Sequence, residues 1–142
     1  MELAIRDIKG DGELEQAYGV LHELRTELTW EVFLKIYEQA RKADGYTVTA
    51  GWLGSRMVAV MGHRVLHDFV HGKHLYIDDL VVAADARGQG LGAQLLEEAR
   101  GIAIEKSCTR LRLSTGIQNA DAMRFYEREG WLRRSVTYKQ KV

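Results

Sequence analysis

Val81-Val82-Ala83-Ala84-Asp85-Ala86-Arg87-Gly88-Gln89-Gly90-Leu91-Gly92-Ala93-Gln94-Leu95-Leu96, residues 81–96, is where the hydrophobic period of the chain changes. Before it, Leu75-Tyr76-Ile77-Asp78-Asp79-Leu80-Val81-Val82 has the residue types and length of a strand. After it, Leu91, Leu95, Leu96, Ala99, Ile102 and Ala103 recur at helical spacing, so Gly90 to Lys106 reads as a long amphipathic helix. The glycines between them let the backbone approach a ligand closely. The helix start offers unpaired N–H groups at the positive end of its dipole. Arg87 adds a planar fork of donors that matches phosphate oxygens. The stretch is a cradle for a pyrophosphate.

Two common owners of such a cradle do not fit. A P-loop needs a Gly-Lys-Ser/Thr ending, which is missing here. Gly88-x-Gly90-x-x-Ala93 does satisfy a loose dinucleotide fingerprint. That fingerprint opens a βαβ array and needs an acidic strand end about 20 residues later, where this chain has Leu113-Ser114-Thr115.

Working outward, Leu3–Ile8 reads as a strand, and Asp11 or Gly12 can cap a helix carrying Leu14, Ala17, Tyr18, Leu21, Leu24 and Leu28. Thr29 caps a second helix with Val32, Phe33, Ile36, Tyr37 and Ala40 inward, stopped by Asp44-Gly45. Tyr46–Leu53 and Met57–Val65 flank a Gly54-Ser55 turn as a hairpin. Beyond the long helix come a strand at Thr109–Ser114, a short helix from Asp121 to Glu129 and a last strand from Trp131 to Val142. The order β-α-α-β-β-β-α-β-α-β predicts an α+β fold in three layers, with a mixed, mostly antiparallel sheet flanked by helices. One domain over residues 1–142 is expected.

The charge balance, 20 Lys+Arg against 20 Asp+Glu, removes the general electrostatic case for nucleic acid. It is a cancellation: residues 1–44 carry ten acidic and six basic side chains, and residues 124–142 carry six basic and two acidic. No apolar run or leader-like segment points to a membrane, and a single cysteine, Cys108, suits a reducing cytoplasm. His63, His67, His71 and His74 have helical metal spacing but fall on strand and loop, where four residues span about 13 Å. No metal is expected.

Arg87-Gly88-Gln89-Gly90-Leu91-Gly92 after a strand ending Asp79-Leu80-Val81-Val82 resembles the Q/R-x-x-G-x-G/A signature of the GNAT superfamily of N-acetyltransferases. Asn119-Ala120-Asp121-Ala122-Met123-Arg124-Phe125-Tyr126-Glu127-Arg128-Glu129-Gly130-Trp131 resembles that family's second segment, N-x-x-A-x-x-F-Y-x-x-x-G-[FW]. One departure is Ala83-Ala84-Asp85-Ala86, where the family often has proline; this chain has none.

The resemblance implies acetyl-CoA as co-substrate and direct transfer to a primary amine in a ternary complex. The acceptor it implies is a small amine or a peptide amino group. It places Arg87 to Gly92 on the pyrophosphate, and the backbone of Leu80, Val81 and Val82, splayed by a bulge, on the pantetheine arm. Asn119 then contacts the pantetheine or orients the loop, and Tyr126 protonates the departing sulfur. Asp78 aligns with a glutamate used as base, while Asp79 takes a structural role at the bulge. Adjacent strand residues point to opposite faces, so at most one of the two carboxylates normally faces the substrate. His74 falls near the same end of the strand. The acidic surplus of the amino-terminal helices favours a cationic acceptor. A homodimer through edge strands, the carboxy-terminal strand among them, is the expected assembly. A protein α-amino acetyltransferase and a non-catalytic acyl-CoA-binding module are the alternatives.

Overall fold

In the computed structural model, which describes residues 2–142, the strands are β1 (Leu3–Asp7), β2 (Thr47–Leu53), β3 (Arg56–Asp68), β4 (Gly72–Val82) and β5 (Arg110–Leu113). The helices are α1 (Gly10–His22), α2 (Trp30–Asp44), α3 (Leu91–Glu105) and α4 (Ala120–Arg128). The sheet order is β1-β2-β3-β4-β5, and each pairing from β1 to β4 is antiparallel. This is the expected mixed α+β architecture. The chain divides into two compact units, one ending at Arg112 and one running from Leu113 to Val142.

In the first unit the sheet buries both faces. Val48, Ala50, Trp52, Val60 and Val81 meet Leu14, Ala17, Val20 and Leu21 of α1 and Phe33 of α2. On the other face Leu3, Val58, Ala83 and Ala86 meet Leu91 at the start of α3. Each fully buried large aliphatic side chain, Leu75 and Leu95 among them, contributes roughly 1.5–3 kcal/mol by leaving water.

Local signals set the ends of α2: the Thr29 hydroxyl accepts from Val32 N–H at 3.3 Å, and Gly45 closes the helix at φ +67°. Helix α1 is shorter than its spacing suggested. It stops at His22, and Leu24 lies 48% exposed in the turn to α2. Tyr18 Oη donates to Leu28 O at 2.6 Å, tying that turn back to the helix.

Strands β3 and β4 run further than expected, to Asp68 and from Gly72, because the residues between Val65 and Leu75 continue the antiparallel ladder. A register shift between Gly62 and His63 pairs Asp79 with Gly62 and Ile77 with His63, leaving Asp78 as the extra residue of a bulge.

In the second unit, Asn119 Oδ1 caps α4 by accepting from Ala122 N–H at 3.1 Å. Residues 131–142, expected as a strand, form none. The stretch alternates, but no described strand pairs with it, and Leu132, Val136 and Tyr138 stay exposed.

Candidate active site

The glycine loop is built by backbone conformations that only glycine adopts without strain. Gly88 has φ +82° and Gly90, the N-cap of α3, has φ +76°, with open space where a Cβ would stand at either position. No side chain caps α3, and the first turn bond runs from Gln94 N–H to Gly90 O. The N–H groups of Leu91, Gly92 and Ala93 are therefore the unpaired donors every helix start leaves. Gln89 donates to Ala86 O at 3.2 Å and Arg87 Nε to Val82 O at 3.1 Å, so both side chains brace the loop. Arg87 keeps its terminal nitrogens exposed. Glu23 Oε1 accepts from Ala84 N–H at 2.9 Å, holding the loop entrance to the end of α1. The donor set and the open glycines fit a pyrophosphate.

Among the described residues, the last three positions of the strand leading into that loop have register partners on β3 alone. Thr109 N–H donates to Lys73 O at 3.0 Å, so the four residues of β5 start level with the beginning of β4. At strand rise they end before Leu80. Leu80, Val81 and Val82 pair regularly with Met61, Val60 and Ala59 of β3 on their other side. The bulge thus sits at Asp78, one residue before the Asp79 expected there, and β5 is too short to reach Leu80.

A cavity of about 180 Å³ opens beside the middle of β4, lined by Leu28, Phe33, Tyr37, Tyr46, Arg64, Asp78 and Asp79 among others. Both carboxylates reach it. The bulge cancels the alternation that separates neighbouring side chains, which corrects the expectation of opposite faces. Their states differ. Asp78 is gripped at both oxygens by Arg64, Nε at 3.0 Å and Nη2 at 2.8 Å, while Arg64 Nη1 holds Asp44 at 2.7 Å. Asp79 is held at one oxygen only: Arg25 Nε at 3.0 Å and Nη2 at 2.5 Å both meet Oδ1. Asp79 is 15% exposed, and burial pushes its carboxyl above the usual range against the pull of Arg25. Oδ2 has no hydrogen-bond partner among the described residues.

Sequence reasoning missed Arg25, Tyr46 and Arg64. Tyr46 packs its hydroxyl over Gly62, where a Cβ would stand 1.8 Å from the oxygen. Arg64 lies 5.3 Å from its ring centre, and burial, then Asp79 and Asp78, raise its phenol. The glycine opposite Asp79, in a strand of large side chains, was the available signal.

His74 is fully buried. Its Nδ1 bonds Gly72 O at 2.9 Å, and its Nε2 takes Arg112 Nη1 at 3.1 Å. With His71 and Asp68 it forms a cluster whose ligand atoms lie within 4.8 Å of one another. The β3–β4 turn folds the chain back there, which the extended reading did not foresee. Arg112, 3.6 Å from Asp68 Oδ2, supplies the cation. His63 is separate: Thr49 Oγ1 donates to Asp7 at 2.7 Å and accepts from His63 Nε2 at 2.8 Å, leaving buried Nδ1 unpartnered among the described residues.

In the second unit, Tyr126 meets Phe125 edge-on and Trp131 at a tilt, with ring centres 5.1 and 5.9 Å away. Burial pushes its phenol up to about 12, so it stays protonated at neutral pH. Asn119 serves as the N-cap described above.

The sheet thus carries a glycine-built anion cradle after β4 and a carboxylate-bearing cavity beside it. The chain belongs to the acetyltransferase (GNAT) family, whose model matches residues 13–131. It is an acetyltransferase acting on amines. It is 30% identical over 139 residues to the uncharacterized N-acetyltransferase YhdJ of Bacillus subtilis (strain 168), covering 97% of this chain and 98% of that one. It is 27% identical to thialysine N-epsilon-acetyltransferase of Bos taurus over 89% of this chain and 88% of the relative. The fold matches aminoglycoside N-acetyltransferase AAC(6')-Iy, solved in complex with CoA, at TM-score 0.85 and 18% identity, covering 99% of this chain and 96% of that one. Among the described residues no helix is long and apolar enough to cross a membrane.

Proposed function

We propose that residues 1–142 act as one domain that moves an acetyl group from acetyl-CoA directly to a primary amine of a small molecule in a ternary complex. The amine enters the cavity beside β4, and Asp79 takes its proton. The observation that carries this reading is the asymmetry between the carboxylates: Asp78 has both oxygens committed to Arg64, while Asp79 keeps Oδ2 free and its carboxyl raised. A base near the operating pH transfers protons most effectively, and burial moves Asp79 in that direction. This assigns to Asp79 the role that alignment alone gave to Asp78. Arg64 and Asp78 then position the wall formed by Tyr46.

Acetyl-CoA, when bound, supplies an activated acyl thioester. Arg87, Gly88, Gln89, Gly90, Leu91 and Gly92 hold its pyrophosphate through the open N–H groups and the Arg87 fork. The free edge of Leu80, Val81 and Val82 is suited to receive the pantetheine amides, and one of its N–H groups to polarise the thioester carbonyl. Asn119 supports the arm. As the N–C bond forms and the C–S bond breaks, Asp79 accepts the amine proton and Tyr126 gives its proton to the sulfur. A carboxylate-lined cavity favours a cationic acceptor. The relatives named for thialysine and aminoglycoside acetylation support an amine of modest size. The protein works in the cytoplasm, and pairing of edge strands makes it a homodimer.

The test is release of CoA thiol from acetyl-CoA on a panel of primary amines, with Asp79→Asn and Tyr126→Phe beside the wild type. Amine-dependent release that both variants reduce supports the reading. Tight acetyl-CoA binding without turnover of any amine would instead make the chain a binding module.

A further inference from the structure

Two arginines hold the carboxylates of Asp78 and Asp79, and they are not equivalent: Arg64 lines the cavity, while Arg25 meets it through Asp79. Arg64 is 22% exposed and saturated, with three nitrogens on Asp78 and Asp44. Arg25 is 52% exposed and spends Nε and Nη2 on a single oxygen of Asp79. Its Nη1 has no partner among the described residues. The backbone beneath it is fixed: Arg25 N–H donates to Leu21 O at 3.0 Å, its carbonyl accepts from Leu28 N–H at 3.1 Å, and Leu28 O accepts from Tyr18. A half-exposed guanidinium with an unused nitrogen therefore stands on an anchored turn beside Asp79.

We infer that the acceptor is zwitterionic, an amine carrying an anionic group, and that Arg25 binds that anion. The inference rests on the reading of Asp79 as the group that receives the amine. An ammonium arriving at Asp79 competes with Arg25 for the same carboxylate. A plain alkylamine would leave two cations facing one partly buried anion. An acceptor with its own carboxylate or phosphonate gives Arg25 a new partner on its open face, so the four charges alternate in sign. The guanidinium fork, with a hydrogen bond on either side, separates the Asp79 oxygen it holds from the anion by about 6 to 8 Å. Arg25 is thus a specificity-determining residue, held by Asp79 on one face and meeting the anion with the other.

Initial rates of CoA thiol release would compare 5-aminopentanoate with n-pentylamine, for wild type, Arg25→Ala and Arg25→Lys. The wild type is expected to favour 5-aminopentanoate in kcat/KM by about tenfold or more, the worth of one charge-assisted hydrogen bond. In Arg25→Ala that acceptor loses its advantage through KM, while n-pentylamine gains a few fold because Asp79 no longer holds a rival cation. Arg25→Lys keeps part of the preference. Equal use of both acceptors by the wild type, or a preference that survives Arg25→Ala, would overturn the inference and leave amine acetylation standing. Acetyl-CoA binding without turnover of either acceptor, or of any other primary amine, would overturn both.

Discussion

Gly62→Ala is a one-methyl change that measures how the cavity wall is held. The new Cβ would stand 1.8 Å from Tyr46 Oη, 2.6 Å from Cζ and 3.0 Å from Cε1. Ordinary contact begins near 3.4 Å, so the hydroxyl must retreat by about 1.6 Å. Tyrosine is a rigid plate with two free torsions, so the whole ring swings. It then leaves its edge contact with Tyr37, centred 6.1 Å away, and its place under Arg64. Overpacking of this kind costs about 1–3 kcal/mol, and the lost cation–π contact about 0.5–1 more. We expect about 2–3 kcal/mol of destabilisation by urea unfolding at pH 7. In a Tyr46→Ala background the obstruction is gone, and the same change should cost less than about 0.5 kcal/mol, since alanine is easier to order than glycine. The amine KM should rise in Gly62→Ala while acetyl-CoA affinity holds. A double-mutant cycle that adds within about 0.5 kcal/mol would refute the contact.

His63 predicts a pH dependence of stability. Burial lowers its ring to about 4 from 6.5, so between those values the unfolded chain binds the extra proton and stability falls as pH drops. The loss between pH 7 and pH 5 is about 2 kcal/mol, and His63→Gln should remove that slope in urea titrations. Asp79 acts in the opposite sense, because its raised carboxyl binds its proton more readily when folded. Gly90→Ala forces a side chain onto φ +76°, costing about 1 kcal/mol. Gly90→Glu adds charge repulsion and should abolish acetyl-CoA binding by calorimetry. Tyr126→Phe should lower kcat by roughly 10²-fold with little change in acetyl-CoA affinity; an unchanged kcat would remove Tyr126 from the sulfur.

Much of this was legible along the chain. The period change at residues 81–96 located β4, the loop and α3, and Thr29 and Gly45 marked the ends of α2. The cavity was not legible, because its parts meet across long sequence separations. Arg25 and Asp79 lie 54 residues apart. Alternation put Asp78 and Asp79 on opposite faces until a bulge, set by the Gly62 pairing, brought them together. Exposed Val32 and Ile36 share the helical stripe of buried Phe33, because spacing gives a direction while burial depends on what lies opposite. Residues 131–142 show the converse: the alternation of a strand is there, but a strand also needs a neighbour.

Asp79 is proposed to receive the amine proton in an acetyl transfer from acetyl-CoA. The measurement is kcat/KM for a primary amine across pH, for wild type, Asp79→Asn and Asp78→Asn, with acetyl-CoA saturating. The wild-type profile should fall on acidification through a pKa above the ordinary carboxylate range, as burial of Asp79 dictates. Asp79→Asn should lose about 10²–10⁴-fold together with that limb, while Asp78→Asn keeps the limb and loses less. An Asp79→Asn profile that matches the wild type in height and shape would contradict the account.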